Sequence, residues 1–264
     1  MQLSVNGFAS YAYTGGKPLD ATLQAIVFIH GAELDHSCWG LQSRWFAHHG
    51  FAVMAVDLPG HGRSAGAPLA SIESMAAWIM AVLDAAGIQR AALVGHSMGS
   101  LAALDAAASF PERVTRLALL GNATPMPVSK ALLDAARDEP ARAESMICAW
   151  SHSPRGHIGG NTVPGMWMYV ASRRLGARAG RSALFNDLSA CNNYAGGLES
   201  AAKVRCPALL LCGSRDQMTS PKSAQNLSKA LPDARLRILD GAGHSIMAEQ
   251  PDAVLDALRL FLLS

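Results

Sequence analysis

Gly95-His96-Ser97-Met98-Gly99 sets one serine between two small residues. A serine hydroxyl is a weak nucleophile until a base takes its proton and a third group orients that base. The chemistry open to such a set is attack on a carbonyl carbon. The G-x-S-x-G spacing alone arises by chance in roughly one chain in ten of this length. Its context is more specific: the apolar run AALVG enters it and the helix-like MGSLAALDAAASF leaves it, the strand-to-helix setting that a nucleophile elbow requires. Gly95 and Gly99 leave room for the strained backbone of such an elbow.

A base must come from the nine histidines. His48 and His49 sit near a helix end and suit solvent. His152 and His157 are five residues apart, which matches neither a helical face nor a zinc motif. His61 lies in a loop after a strand. His244, in DGAGHSIMAEQPD, falls just past the last apolar strand, with Gly241 and Gly243 beside it to allow close approach. It is the candidate base. Asp216, in GSRDQMTSP, follows another strand and is the candidate acid; Asp240 sits within a strand pattern, and Asp187 in a helical stretch. The order Ser97, Asp216, His244 is the order expected of an elbow nucleophile. Two backbone N–H groups must hold the oxyanion. Met98, next to Ser97, offers one, and Ala32, after His30-Gly31, the other.

These residues need a scaffold that brings several strand ends together. The runs AIVFIHG, FAVMAVDLPGHG, AALVG, VTRLALLG, CPALLLCG and ARLRILDG are nearly continuous in apolar residues, as strands buried on both faces of a parallel sheet should be. VTRLALLG and ARLRILDG alternate more and suit positions nearer an edge. LSVNGFASYAY suits an antiparallel pair. Helical patterns lie between the runs, as in SIESMAAWIMAVLDAAG with its serine N-cap and glycine stop. The alternation implies right-handed crossovers and a doubly wound α/β sheet, whose ligands bind beyond the carboxyl ends of the strands. Ser97, Asp216, His244 and Ala32 all fall there.

Some 84 residues separate Gly121 from Cys206, far more than a crossover needs. Helical patterns fill this span, which suggests a core of residues 1–121 and 203–264 carrying an inserted helical cap at 122–202. The cap supplies Met126, Met146, Trp150, Met166, Trp167, Met168 and Tyr169 as apolar groups for a pocket wall or for its own core. Trp39, Cys38 and His96 are further candidate lining residues beside the chemistry. Arg173 and Arg174 could meet a substrate carboxylate or simply face water.

Composition narrows the classes. Half the residues are hydrophobic, 16% are charged and the net charge is +2, with no dense basic tract, so nucleic acid and anionic membranes are not indicated as partners. No apolar run has the length of a membrane span. The N-terminus shows no signal-peptide pattern. Five scattered cysteines suit a reduced, cytoplasmic protein. Gly60-His61-Gly62-Arg63-Ser64-Ala65 fits a dinucleotide fingerprint, but Pro59 precedes it, Pro68 follows, and no helix opens there. No metal-ligand motif is present, and the expected chemistry needs no cofactor. The oligomeric state is not readable.

Taken in order, FIHGAELDHSCW, VDLPGHGRS, VGHSMGS, and GSRDQMTSP with GAGHSIMAEQP resemble the α/β-hydrolase family over nearly all of the sheet-forming chain. The resemblance implies an eight-stranded, mostly parallel sheet with a helical lid between strands six and seven. It also implies Ser97 as nucleophile, His244 as base, Asp216 as acid, and Ala32 and Met98 as oxyanion donors. The chain is most similar to the lidded bacterial esterases, lactonases, cofactor-free perhydrolases and C–C bond hydrolases. Relatives with an aspartate nucleophile are disfavoured by Ser97. Ser100 departs from the Met-Gly-Gly exit of many members. A carboxylic-ester hydrolase of small, mainly apolar substrates is the leading expectation. Enol-lactone, C–C or perhydrolysis chemistry on the same residues is the alternative, and a ligand receptor on this fold is a third.

Overall fold

The structure is a computed structural model and describes residues 1–160, 167–176 and 181–264. A hairpin of β1 (Gln2–Val5) and β2 (Phe8–Tyr13) opens the chain. Then β3 (Gln24–Ile29), α1 (Gly40–Ala47), β4 (Phe51–Val56), α2 (Ile72–Ala85), β5 (Ala91–His96), α3 (Met98–Ser109) and β6 (Val114–Leu120) alternate. Among the described residues, six helices follow: α4 (Lys130–Asp138), α5 (Pro140–Ser151), α6 (Pro154–His157), α7 (Met168–Gly176), α8 (Arg181–Asn193) and α9 (Gly197–Lys203). The chain closes with β7 (Ala208–Gly213), α10 (Pro221–Ala230), β8 (Ala234–Leu239), α11 (Ile246–Glu249) and α12 (Pro251–Leu262).

The eight strands form one sheet in the order β1-β2-β4-β3-β5-β6-β7-β8. Pairs involving β2 are antiparallel, and all others are parallel. Alternate residues serve opposite faces, as the strand period of two demands. Ala25, Val27 and Ile29 of β3 pack with α2 and α3, whereas Ile26 and Phe28 pack with α1 and α12. Ser71 caps α2 and exchanges hydrogen bonds with Ser74. The chain leaves β3 for β4 on one side and returns to β5 on the other. The crevice at this reversal, past β3 and β5, is where an open α/β sheet binds ligands, and Ser97 stands there.

The sequence placed VTRLALLG nearer an edge, but β6 lies between β5 and β7. The polar residues that suggested an edge, Thr115 and Arg116, occupy only the strand's entry; Leu117 to Leu120 are buried on both faces. β8 is the true edge and keeps an alternating exposed pattern. Within the span between β6 and β7, α4, α5 and α8 share a small core built on Leu132, Ala136, Ala143 and Leu188. α9 instead packs on α3, and Ala201 joins the main core, so the last helix of that span sits in the sheet's own helical layer.

Close backbone approach fixes how α3 leaves the sheet. A Cβ on Gly99 would run into the main-chain carbonyls of Ile29 and His30, which cannot move without shifting β3. Gly99→Ala is therefore expected to cost about 3 kcal/mol, a Tm drop of roughly 6–12 °C by thermal unfolding. Gly40→Ala is the control: it is helical with open space around it, and should be neutral or slightly stabilising.

Candidate active site

Ser97 sits between β5 and α3 with φ 52° and ψ −120°, a left-handed conformation that costs an L-residue about 1–3 kcal/mol. Surrounding backbone holds it there. Ser97 N–H donates to Leu120 O at 2.9 Å, and a Cβ on Gly95 would overlap the Gly99 carbonyl. Gly31 lies against the turn from the other side, its position for a Cβ only 3.2 Å from Ser97 Cβ. The first N–H groups of α3 lack helical acceptors by geometry; Met98, next to Ser97, is the first of them.

His244 follows β8 and lies 3% exposed. Its Nδ1 is 2.8 Å from Asp216 Oδ2. Asp216, past β7, uses its oxygens fully: Oδ1 accepts from Met218 N–H at 2.8 Å and Thr219 N–H at 2.7 Å, and Oδ2 accepts from Thr219 Oγ1 at 2.7 Å. Burial alone would raise the Asp216 pKa. The charge and hydrogen bond of His244, with the Thr219 donors, outweigh it and hold the carboxyl below the usual range. Among the described residues, His244 Nε2 is buried without a hydrogen-bond partner. It and Ser97 line the same cavity. Gly121 backs the imidazole: its φ is 55° and a Cβ there would come within 2.9 Å of His244 Cε1.

Two further histidines tie the loops around Ser97. His96 Nε2–H donates to the His244 carbonyl at 3.0 Å, joining the elbow to the loop of the candidate base. Burial, then the neighbouring His244, lower the His96 pKa to about 3, so it holds this bond as a neutral ring. His30 Nδ1–H donates to Gly31 O at 2.8 Å, and its Nε2 accepts from Leu58 N–H at 3.1 Å. This pins the Gly31-Ala32 turn to the loop after β4. Burial, then His61, lower its pKa to about 4.

The helices between β6 and β7 are also tied down beside the site. Glu249 accepts from Gly243 N–H at 2.9 Å and from Ser153 N–H and Oγ, joining the His244 loop to the start of α6. His61 Nε2 is 2.8 Å from Asp187 Oδ2 on α8, and its Nδ1 faces Pro59 O at 3.0 Å. Burial alone would lower the His61 pKa; Asp187 outweighs it and raises the value. Oxygen acceptors face both ring nitrogens, an arrangement that favours the protonated ring.

The cavity over Ser97 measures about 340 Å³. Of the candidate lining residues, His96, Met126 and Trp150 are on its wall, as is Ala32, joined by Leu132, Ile147 and Leu188. Two others are misplaced by the sequence reading. Trp39 is fully buried in the core on the α1 side of the sheet, its ring 5.2 Å from that of Phe28. Proximity in sequence to the His30 loop misled, because the turn at His36–Trp39 sends the indole under the sheet. Trp167 is 53% exposed and off the wall, its Nε1–H donating to His157 O. Met146 belongs to the core of α4, α5 and α8. Met166 lies outside the described residues. Asp240, weighed as the acid, instead accepts from Ser214 Oγ at the surface.

Thr219, Glu249, Gly121 and Glu33 escaped the sequence reading. Thr219 had a signal, since Asp-x-x-Thr after a strand matches a local side-chain turn. The others are set by contacts far apart in sequence.

Residues 26–257 match the Alpha/beta hydrolase family. The chain belongs to that family. Its curated relatives include the (E)-2-((N-methylformamido)methylene)succinate hydrolase of Acinetobacter baylyi, 25% identical, the match covering 99% of this chain and 97% of that protein. Esterase YbfF of Escherichia coli is 26% identical over 90% of this chain and 92% of its own. Among solved structures, the enol-lactonase from Burkholderia xenovorans superposes with a TM-score of 0.86 over the full length of both chains at 22% identity, a likeness of fold. No helix among the described residues is long and apolar enough to cross a membrane.

Proposed function

We propose that this protein is a serine hydrolase that acts by acyl transfer on small, mainly apolar carboxylic esters. The observation that carries the reading is the His244–Asp216 contact of 2.8 Å, with Nε2 left without a partner among the described residues in the cavity that Ser97 lines. In this reading Nε2 takes the Ser97 proton as Oγ attacks the ester carbonyl. Asp216 fixes the Nδ1–H tautomer and stabilises the imidazolium. The Ala32 and Met98 N–H groups hold the oxyanion. His244 then protonates the leaving alkoxide, and water repeats both steps on the acyl-enzyme. Groups of this chain handle every proton and charge, so the cycle calls for no cofactor.

Substrate size and polarity follow from the cavity. A volume of about 340 Å³ is near the low end for small-molecule pockets, and Met126, Leu132, Ile147, Trp150 and Leu188 make its walls largely apolar. Within the span at 122–202, α4 to α8 serve as the lid, while α9 stays on the core. Five unpaired cysteines support a reducing, cytoplasmic setting. Aryl esters of increasing acyl length, assayed beside a vinylogous ring-fission diketone, test the reading. Short acyl esters should turn over fastest, with kcat/KM falling about tenfold or more for acyl chains too long for the cavity. Turnover of the diketone alone would overturn it.

A further inference from the structure

Glu33 follows Ala32 on the cavity wall. It is 6% exposed and has φ 65°, a backbone conformation that glycine adopts more readily. The lid closes on it from three helices. Glu144 and Cys148 face it from α5. Gly176 of α7 lies so near that a Cβ there would come within 2.5 Å of Glu33 Oε1. Asp187 of α8, paired with His61, accepts the Glu33 N–H at 3.1 Å. On α7, Arg173 bears on Cys148, and both Arg173 and Arg174 are exposed.

Among the described residues, the Glu33 carboxyl has no hydrogen-bond or ion-pair partner. The contrast with the other buried acids is sharp. Asp35, Asp57, Asp105, Asp187, Asp216 and Glu249 each accept at least two hydrogen bonds. A buried polar group left without a partner is costly and calls for an explanation. Glu33 is one of the residues that line the cavity Ser97 shares.

Burial, then the charges of Glu144 and Asp187, raise the Glu33 pKa to about 8. At neutral pH it therefore offers an O–H donor, and the complement to a donor in an otherwise apolar cavity is an oxygen acceptor. We infer that Glu33 is a specificity-determining residue whose carboxyl hydrogen-bonds a second oxygen of the substrate, a keto, ether or hydroxyl oxygen a short chain away from the scissile carbonyl. Short esters bearing such an oxygen then outrank plain alkyl esters. The inference rests on the ester-hydrolase reading above.

The test compares aryl levulinate with aryl valerate, which match in chain length and differ in one keto oxygen. Each rate is divided by its rate with hydroxide, and the readout is the ratio of kcat/KM values. Wild type should favour levulinate by about tenfold, the effect of one net hydrogen bond. That ratio should fall as pH rises through about 8, because the ionised carboxyl can no longer donate; pH effects common to both esters cancel in the ratio. Glu33→Leu should bring the ratio to near one whatever its effect on either rate. Glu33→Gln keeps an N–H donor, so it should retain the preference and lose the alkaline decline. A tenfold ratio that survives in Glu33→Leu overturns the inference, as does a preference for amine-bearing esters that grows with pH. Turnover of both esters without preference sinks the inference alone. Turnover of neither sinks the ester reading and the inference with it.

Discussion

Ser97→Ala is expected to lower kcat by about 10⁶-fold, the scale of losing the nucleophile of such a set. The fold should persist. Alanine fits the space of serine, and neither side-chain atom of Ser97 supports the core; the elbow is held by Leu120 O, by Gly95 against Gly99, and by Gly31. Alanine at φ 52° is no better suited than serine to that backbone, so Tm should change by only about 2–4 °C, corresponding to about 1 kcal/mol. Residual turnover above the uncatalysed rate would come from the oxyanion donors and the cavity. Adding His244→Ala to Ser97→Ala should cost little more, because the two act as one unit.

Asp216→Asn should lower kcat by about 10⁴-fold with the geometry intact. The reason lies in what each oxygen does. Oδ1 accepts from two backbone N–H groups, of Met218 and Thr219, so an asparagine keeps its carbonyl oxygen there. Its NH₂ must then take the place of Oδ2 and face His244 Nδ1. Two donors cannot face each other, so the imidazole adopts the other tautomer, with its proton on Nε2. That nitrogen then cannot receive the Ser97 proton. Steady-state kinetics on the purified variant check the magnitude. The same change alters acid stability. The Asp216 pKa is lowered in the fold, so its contribution is fully present above its unfolded value of about 3.9 and is lost as pH falls through the lower folded value. Asp216→Asn should flatten that part of the stability profile, read by urea unfolding at acid pH.

Local chemistry made much of the scaffold readable. Runs such as Ala25–Ile29 and Ala91–Val94 are apolar at every position because both faces of the sheet are covered, and Ser71, Gly87 and Pro221 mark helix ends by their own conformational limits. β6 was misjudged as lying nearer an edge because two polar residues at its entry imitate alternation. Ser97, Asp216 and His244 were legible as candidates because each follows a strand at the edge where ligands bind. What was not legible depends on how the helices between β6 and β7 pack on the core. Nothing in the sequence joins Glu33 to Gly176 or His61 to Asp187, since those contacts arise only when α7 and α8 dock over the β3 and β4 loops. Trp39 shows the converse error: an aromatic near the reacting groups in sequence can point into the opposite core.

The central claim is that Ser97 is a nucleophile activated by His244. A fluorophosphonate probe with peptide mass spectrometry tests it most directly, because the reagent is attacked only by an activated hydroxyl and needs no knowledge of the substrate. The wild-type protein should gain one adduct, on Ser97, with Ser97→Ala unlabelled and Asp216→Asn labelled far more slowly. Folded wild-type protein that stays unlabelled, or that carries the adduct on another residue with Ser97 unmodified, would contradict the account.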